Sequence, residues 1–469
     1  MRKTDYCFQT IPITLDPDIQ SLVIQQNDIQ EIGSASFYFH PELVNLDLSE
    51  NKIQIIHDRT FEAQKILINL ELSKNKLRKI EKLIFYGLEN LEFLDLSHNE
   101  IEEVEDFSFE HLSELKELNL NYNRISTLGL NVFYGLRKLS NLNLAKNALS
   151  KIPSESLSLI DSLIKLNLSD NNILNMTEDS FSFSNQLRSL DLSGNKGEIS
   201  ENSFQNLEVL SSLDLSGMSL STIPDQLFNH LSSLSELKLD KNNLEWISQD
   251  TFTDLRQLQI LSISWNAKLK KIDSKAFQQN QYLSKIEISH NKALSVLPKD
   301  LFNNLPNLSN LDASHNNLSH IELPQSISWE SLSLSDNPWT CDCDLMSVYL
   351  VIQNITCQKP RGEQFSRVNM SQCMDASNHD RVTDYDEETN VLDIDVWMIM
   401  IVTIVVILTL VTALAWRYHG AMVELVTRAI RSGCGQNEDN YHDYDTEQFI
   451  HIGGGQYKYQ SRPIPVTEL

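Results

Sequence analysis

Six cysteines stand in 469 residues, and four of them cluster: Cys341, Cys343, Cys357 and Cys373. Four thiols so close can pair as two disulfides or ligate a zinc ion. A C-x-C followed by gaps of 13 and 15 residues lacks the C-x-x-C knuckle of common zinc sites, so disulfides are expected, with three pairings open to sequence alone. His98, His290 and His315 each stand just before an asparagine, far apart in sequence, and read as single solvated rings. Ser-x-x-Lys occurs in "SENK" and "SKNK", where a repeat dictates both residues. G-x-S-x-G and H-E-x-x-H do not occur, and "GGGQ" at 453–456 reads as a flexible stretch, not a phosphate loop. No enzyme, cofactor or metal centre is expected. With 64 acidic against 38 basic residues and a formal charge of −26, a nucleic-acid partner is excluded too, because phosphate contacts need a basic face.

The elements that must position any site follow from internal repetition. "LVNLDLSENKI" (43–53), "LEFLDLSHNEI" (91–101), "LIKLNLSDNNI" (163–173) and "LSELKLDKNNL" (234–244) share one pattern, L-x-x-L-x-L-x-x-N-x-L. Asparagines fall at 27, 51, 75, 99, 123, 147, 171 and 195, always 24 apart, and then at 242, 266, 291, 316 and 337. Met218 occupies the missing position, so about fourteen repeats fill residues 19–337. Phe37, Phe61, Phe85, Phe109, Phe133, Phe181 and Phe252 stand ten residues after their asparagines, and Phe228 stands ten after Met218. Phe204, Phe277 and Phe302 are one residue out of step.

Each repeat predicts one coil, its x-L-x-L core a short strand whose leucines turn inward. Burying each such side chain stabilises by about 1.5–3 kcal/mol. The asparagine amide, with donors and an acceptor, is suited to bridge backbone groups of neighbouring coils. Met218, in the only interval of 23, and Gly197, in place of a leucine, read as drift in a tolerant repeat or as a kink marking a binding region.

Residues 19–337 resemble the typical 24-residue class of leucine-rich repeat proteins. The resemblance implies an α/β horseshoe solenoid with parallel strands on its concave face. "NPWTCDC" (337–343) opens a segment, 338–374, similar to the C-terminal cysteine cap of extracellular members. The family pattern implies the pairs Cys341–Cys357 and Cys343–Cys373. Residues 1–18 resemble the end of an N-terminal cap, and Cys7 stands there without the cap's other cysteines. No signal-peptide stretch precedes it, and the expectation is that the natural N-terminus lies further upstream.

Residues 396–416 carry no charge and are long enough to span a bilayer as one helix. Asp393 and Asp395 precede the span, and Arg417, Arg428 and Arg431 follow it, which predicts an extracellular N-terminus and a plasma-membrane location. N-x-[ST] sequons at Asn167, Asn175, Asn307, Asn317, Asn354 and Asn369 all lie before the span. Asn167 falls on a strand, where a glycan would block a partner. Residues 375–395 read as an acidic stalk, and 417–469 as a short disordered cytoplasmic tail. In that tail Tyr441 and Tyr444 stand among acidic residues suited to phosphorylation, and Thr467 and Leu469 resemble a PDZ-binding terminus.

Within each repeat the residue between the second and third leucine should face outward. This column, from Asp47, Glu71 and Asp95 to Glu287 and Asp312, is mostly acidic or amide-bearing. Phe93 and Tyr122, and then Ile260 and Trp265, interrupt the polar face with residue types that dominate binding energy. The expected partner is a protein with a basic, partly apolar surface, carried by an extracellular ligand or another cell, with dimerisation left open and a PDZ scaffold on the cytoplasmic side. Toll-like receptors have a similar ectodomain and span, but their large signalling domain has no counterpart in residues 417–469. The first expectation is therefore a receptor or adhesion protein. The alternative is an innate-immune recognition receptor, co-receptor or decoy.

Overall fold

A computed structural model describes residues 8–12, 16–183, 185–324 and 326–339, together with two tail strands. Fourteen three-residue strands, from Ser21–Val23 to Ser331–Ser333, form one parallel sheet in strict chain order. The register places Leu46 beside Leu70, Leu70 beside Leu94, and Leu94 beside Leu118. Alternation sets the direction of each side chain: in Asn45–Asp47, Asn69–Glu71 and Phe93–Asp95 the central leucine is buried and its two neighbours are half-buried.

The asparagine column does what its chemistry allows. Asn99 Nδ2 donates to the Leu72 carbonyl of the preceding coil at 3.0 Å and to Leu96 of its own at 3.1 Å. Its Oδ1 accepts the Leu77 N–H at 3.0 Å. Asn75, Asn123 and Asn171 repeat these contacts, and each is buried. At the first coil Phe8 N–H donates to Asn27 Oδ1 at 2.9 Å, standing in for a preceding coil. At the other end Trp339 is buried, its indole N–H donating to the Leu334 carbonyl at 2.8 Å. The phenylalanines form a second buried column, with Phe37 stacked on Phe61 at 5.7 Å and Phe85 on Phe109 at 5.8 Å.

The irregular region near Met218 keeps the sheet intact: Leu190 pairs with Leu213 and Leu213 with Leu237. Met218 is buried in place of the amide, so one rung of the side-chain ladder is missing under a continuous sheet. Gly197 has a steric reason, since a Cβ there would lie 2.6 Å from the Ile173 carbonyl oxygen.

Two expectations need correction. The return side of the coils is made of turns and short parallel pairs such as Glu31–Ile32 with Ile55–Ile56, and the one described helix is the single turn Ser154–Leu157. The described solenoid is thus a β-solenoid and not α/β, because a 24-residue coil leaves too few residues on the return side for a helix of useful length. In the tail, Phe449–Ile452 pairs antiparallel with Gly455–Lys458 where disorder was expected.

The cap cysteines Cys341, Cys343, Cys357 and Cys373, the sequons Asn354 and Asn369, the stalk, the 396–416 span, Tyr441, Tyr444, Thr467 and Leu469 lie outside the described residues. Among the described residues no helix is long and apolar enough to cross a membrane.

Candidate ligand-binding face

Two outward columns cover the long sheet. The first runs from Asn45 through Asn69, Phe93, Glu117, Asn141 and Lys165 to Ile260, Lys285 and Asn310. The second runs from Asp47 through Glu71, Asp95, Asn119, Asn143 and Asn167 to Asp312. Much of the second column works for the fold. Asp47 Oδ1 accepts the Ser49 N–H at 2.9 Å and Asp95 Oδ1 the Ser97 N–H at 2.7 Å, capping the chain as it leaves the strand. Asn119, Asn143, Asn167, Asp191, Asp214 and Asp312 make the same bond. Where Ser262 stands in the column, Asp240 of the previous coil accepts from Ser262 Oγ and from the Ser264 N–H, both at 2.6 Å. The acidity of this column therefore reflects turn chemistry first.

Glu71 is the exception among the acids of the first coils. Its longer side chain makes no such cap, and it sits between Asp47 and Asp95 in register. Burial pushes its carboxyl up to about 7, with Asp95, Asp47 and Glu117 adding repulsion. Phe93 lies on the next strand, half-buried, in the first column. Further along, burial raises Asp191 and Asp240 above the usual carboxylate range. There Lys238 offsets the acids: burial opposes its charge, but Glu236, Asp214 and Asp191 hold its ammonium above its ordinary value.

A third column, not anticipated as a unit, lines the edge where the chain leaves the sheet. The residue before each ladder asparagine, and before Met218 at the interrupted rung, has positive φ: Gln26, Glu50, Lys74, His98, Tyr122, Lys146, Asp170, Gly194, Gly217, Lys241, Trp265, His290, His315 and Asp336. Its N–H donates to the next coil, as from Tyr122 to the Ala145 carbonyl at 3.0 Å and from Trp265 to Ser289 at 2.9 Å. Side chains here stack along the solenoid. His98 lies on Tyr122 at 4.0 Å, and Lys146 covers Tyr122 at 4.4 Å from its centroid and donates to its hydroxyl at 2.6 Å. Trp265 lies on His290 at 3.9 Å, His290 on His315 at 4.2 Å, and His315 Nε2 is 3.3 Å from Asp336.

The sequence-selected anchors are thus regrouped. Phe93 and Ile260 are half-buried near the start of their strands, whereas Tyr122, 42% exposed, and Trp265, 52% exposed, stand on the exit edge. Each strand residue and its presumed partner occupy opposite borders of the sheet face. The histidines expected to be isolated are instead stacked with those aromatics. The signal was present in the recurrence of rings one residue before the asparagine, but it required knowing that this position repeats in space. Of the sequons, Asn175, Asn307 and Asn317 are exposed, while Asn167 is half-buried on the sheet face and accepts from the N–H and hydroxyl of its own Ser169. Among the described residues no group of three or more His, Cys, Asp or Glu is placed to hold a metal ion.

A parallel solenoid with a buried amide ladder and an outward polar face defines a repeat scaffold whose coils serve protein interaction. A Leucine rich repeat model matches residues 17–63, 41–101, 94–149, 137–196 and 161–220, and a BspA type Leucine rich repeat region model matches 197–325. Together they span more than half of the chain, which belongs to the leucine-rich repeat proteins. No curated protein matches it significantly.

Proposed function

We propose that this chain is a single-pass cell-surface receptor or adhesion protein, N-terminus outside, which binds a protein ligand on the face of its long sheet and recruits scaffolds through its tail. The apolar, charge-free 396–416 segment, its asymmetric flanks and the placement of the sequons support the topology. The observation that carries the binding role is the patch of Asp47, Glu71, Phe93, Asp95 and Glu117. Glu71 and Phe93 face outward there without a bond or packing role that the repeat requires, and the acids oppose one another's charge. A ligand offering a cation beside an apolar side chain relieves that repulsion and covers Phe93.

The test displays the full chain on cells with an epitope at each end and screens recombinant extracellular proteins for binding. The N-terminal epitope should be stained without permeabilisation and the C-terminal one only after it. A recovered ligand should bind Phe93→Ser and Glu71→Lys variants at least about tenfold more weakly, a change of about 1.4 kcal/mol. Unchanged affinity in both variants would remove the sheet face as the site. Staining of the C-terminal epitope on intact cells would remove the topology.

A further inference from the structure

We propose that the edge formed by Lys241, Trp265, Lys268, His290 and Lys292 is a docking site for an acidic segment of a partner protein, an inference that rests on the protein-binding reading but on a different border of the solenoid. The first observation is charge left unpaired. In the early coils most exposed cations are neutralised, Lys76 being an exception: Lys52 by Asp28, Lys74 by Glu50, Arg78 by Glu100, and Arg124 by Glu100 and Glu102. Lys241, Lys268 and Lys292 are exposed and have no ion pair among the described residues. Residues 238–299 carry 10 basic and 6 acidic side chains, the reverse of the chain as a whole.

The second observation is the ring stack beside them: Lys241 precedes Trp265 in the edge column, Lys268 follows Trp265 by three residues in the chain, and Lys292 acts on His290. Trp265, His290 and His315 lie nearly parallel, with interplanar angles of 15° and 6°. Rings stacked in this way along the solenoid turn their faces to one another. Among the described residues no ring or cation covers the second face of Trp265. In the earlier stack, by contrast, Tyr122 is closed by His98 and Lys146 on its two sides. A flat side chain beside a carboxylate in the ligand fits the Trp265 face and the lysines together.

Burial first, and then His315 and Lys292, hold His290 below the ordinary imidazole range, while Asp312 and Asp336 act the other way. The lysines therefore carry the positive charge at neutral pH. The patch is short and acids adjoin it: Asp240 directly precedes Lys241, and Asp312 and Asp336 act on His290. Such a border repels a long uniform polyanion and admits a short acidic stretch of a mixed-charge protein surface.

The experiment uses the purified full-length chain and a fluorescent decapeptide of alternating Glu and Tyr, read by polarisation. The expected result is saturable binding that weakens by about tenfold or more in the K241E/K268E/K292E variant, several-fold in Trp265→Ala, and by about tenfold when Gln replaces Glu in the peptide. Phe93→Ser should stay within about twofold of the unsubstituted chain, so that the edge and the sheet face fail separately. Lys241→Gln with Lys292→Gln, which removes charge without adding repulsion, should show an intermediate loss. Equal binding of the Gln and Glu peptides, unchanged binding by the charge-reversed and neutral variants, or binding of heparin but not of the peptide would each overturn the proposal.

Discussion

From Glu50 to Asp170 the sheet edge joins successive coils by ion pairs and by the His98–Tyr122–Lys146 stack, whereas from Lys241 to His315 it stacks rings and leaves lysines without partners. Composition follows the same division, with 18 acidic and 10 basic side chains in residues 42–124 against 6 and 10 in residues 238–299. Both stretches occupy the same backbone position, one residue before a ladder asparagine with positive φ and an N–H bonded to the next coil. The fold asks of that position only tolerance of the left-handed region, so the side chain is available for other work. One stretch uses it for internal neutralisation and the other displays it.

The largest effect that would sharpen this division concerns whether the two stretches are also separate in stability. Asn99→Ala removes a buried amide with two donated bonds and one accepted bond, and should cost about 3 kcal/mol in chemical denaturation. Hydrogen exchange should quicken in coils before Met218, where the rung is missing, and not in those beyond Lys241. Equal quickening on both sides would mean that the gap at Met218 is no boundary. Gly197→Ala, which forces a Cβ onto the Ile173 carbonyl oxygen next to that boundary, should cost about 1–3 kcal/mol by the same measurement.

A smaller effect separates the charge states of the two stretches. The Glu71 carboxyl, raised from 4.5 to about 7, binds its proton more tightly folded than unfolded. It therefore favours the folded state at low pH and progressively less as pH climbs through that window. Glu71→Gln should raise Tm by about 1–2 °C at pH 8 and leave it unchanged at pH 4.5. A gain at both pH values would point to packing instead of charge. The smallest effect belongs to the exposed stack: Lys146→Ala should leave Tm within about 1 °C, because contacts on a solvated edge contribute little. A larger fall would mean that the early edge is structural throughout.

The leucine, asparagine and phenylalanine columns were legible because each position repeats a demand of packing or backbone satisfaction, and Asn75, Asn99 and Phe85 meet those demands as their types predict. The edge stacks were less legible. His290 and His315 are 25 residues apart, and nothing in a linear reading says that their rings lie 4.2 Å apart until strand register and φ are known. The acidic column misled for a related reason: Asp47 and Asp95 look like ligand-facing acids, yet each is bound to its own chain two residues on. Glu71 stands out only by contrast with those caps. The tail pairing was not legible, because "GGGQ" at 453–456 within a polar tail reads as a flexible stretch.

Gly194 and Gly217 put two successive coils without side chains into the edge column. With strands about 4.8 Å apart, they open a bare notch roughly 10 Å wide between the tyrosine-centred and tryptophan-centred stacks. A single rigid ligand reaching across both must insert bulk of its own into that notch or arch over it. Two smaller binders could instead sit on either side without touching.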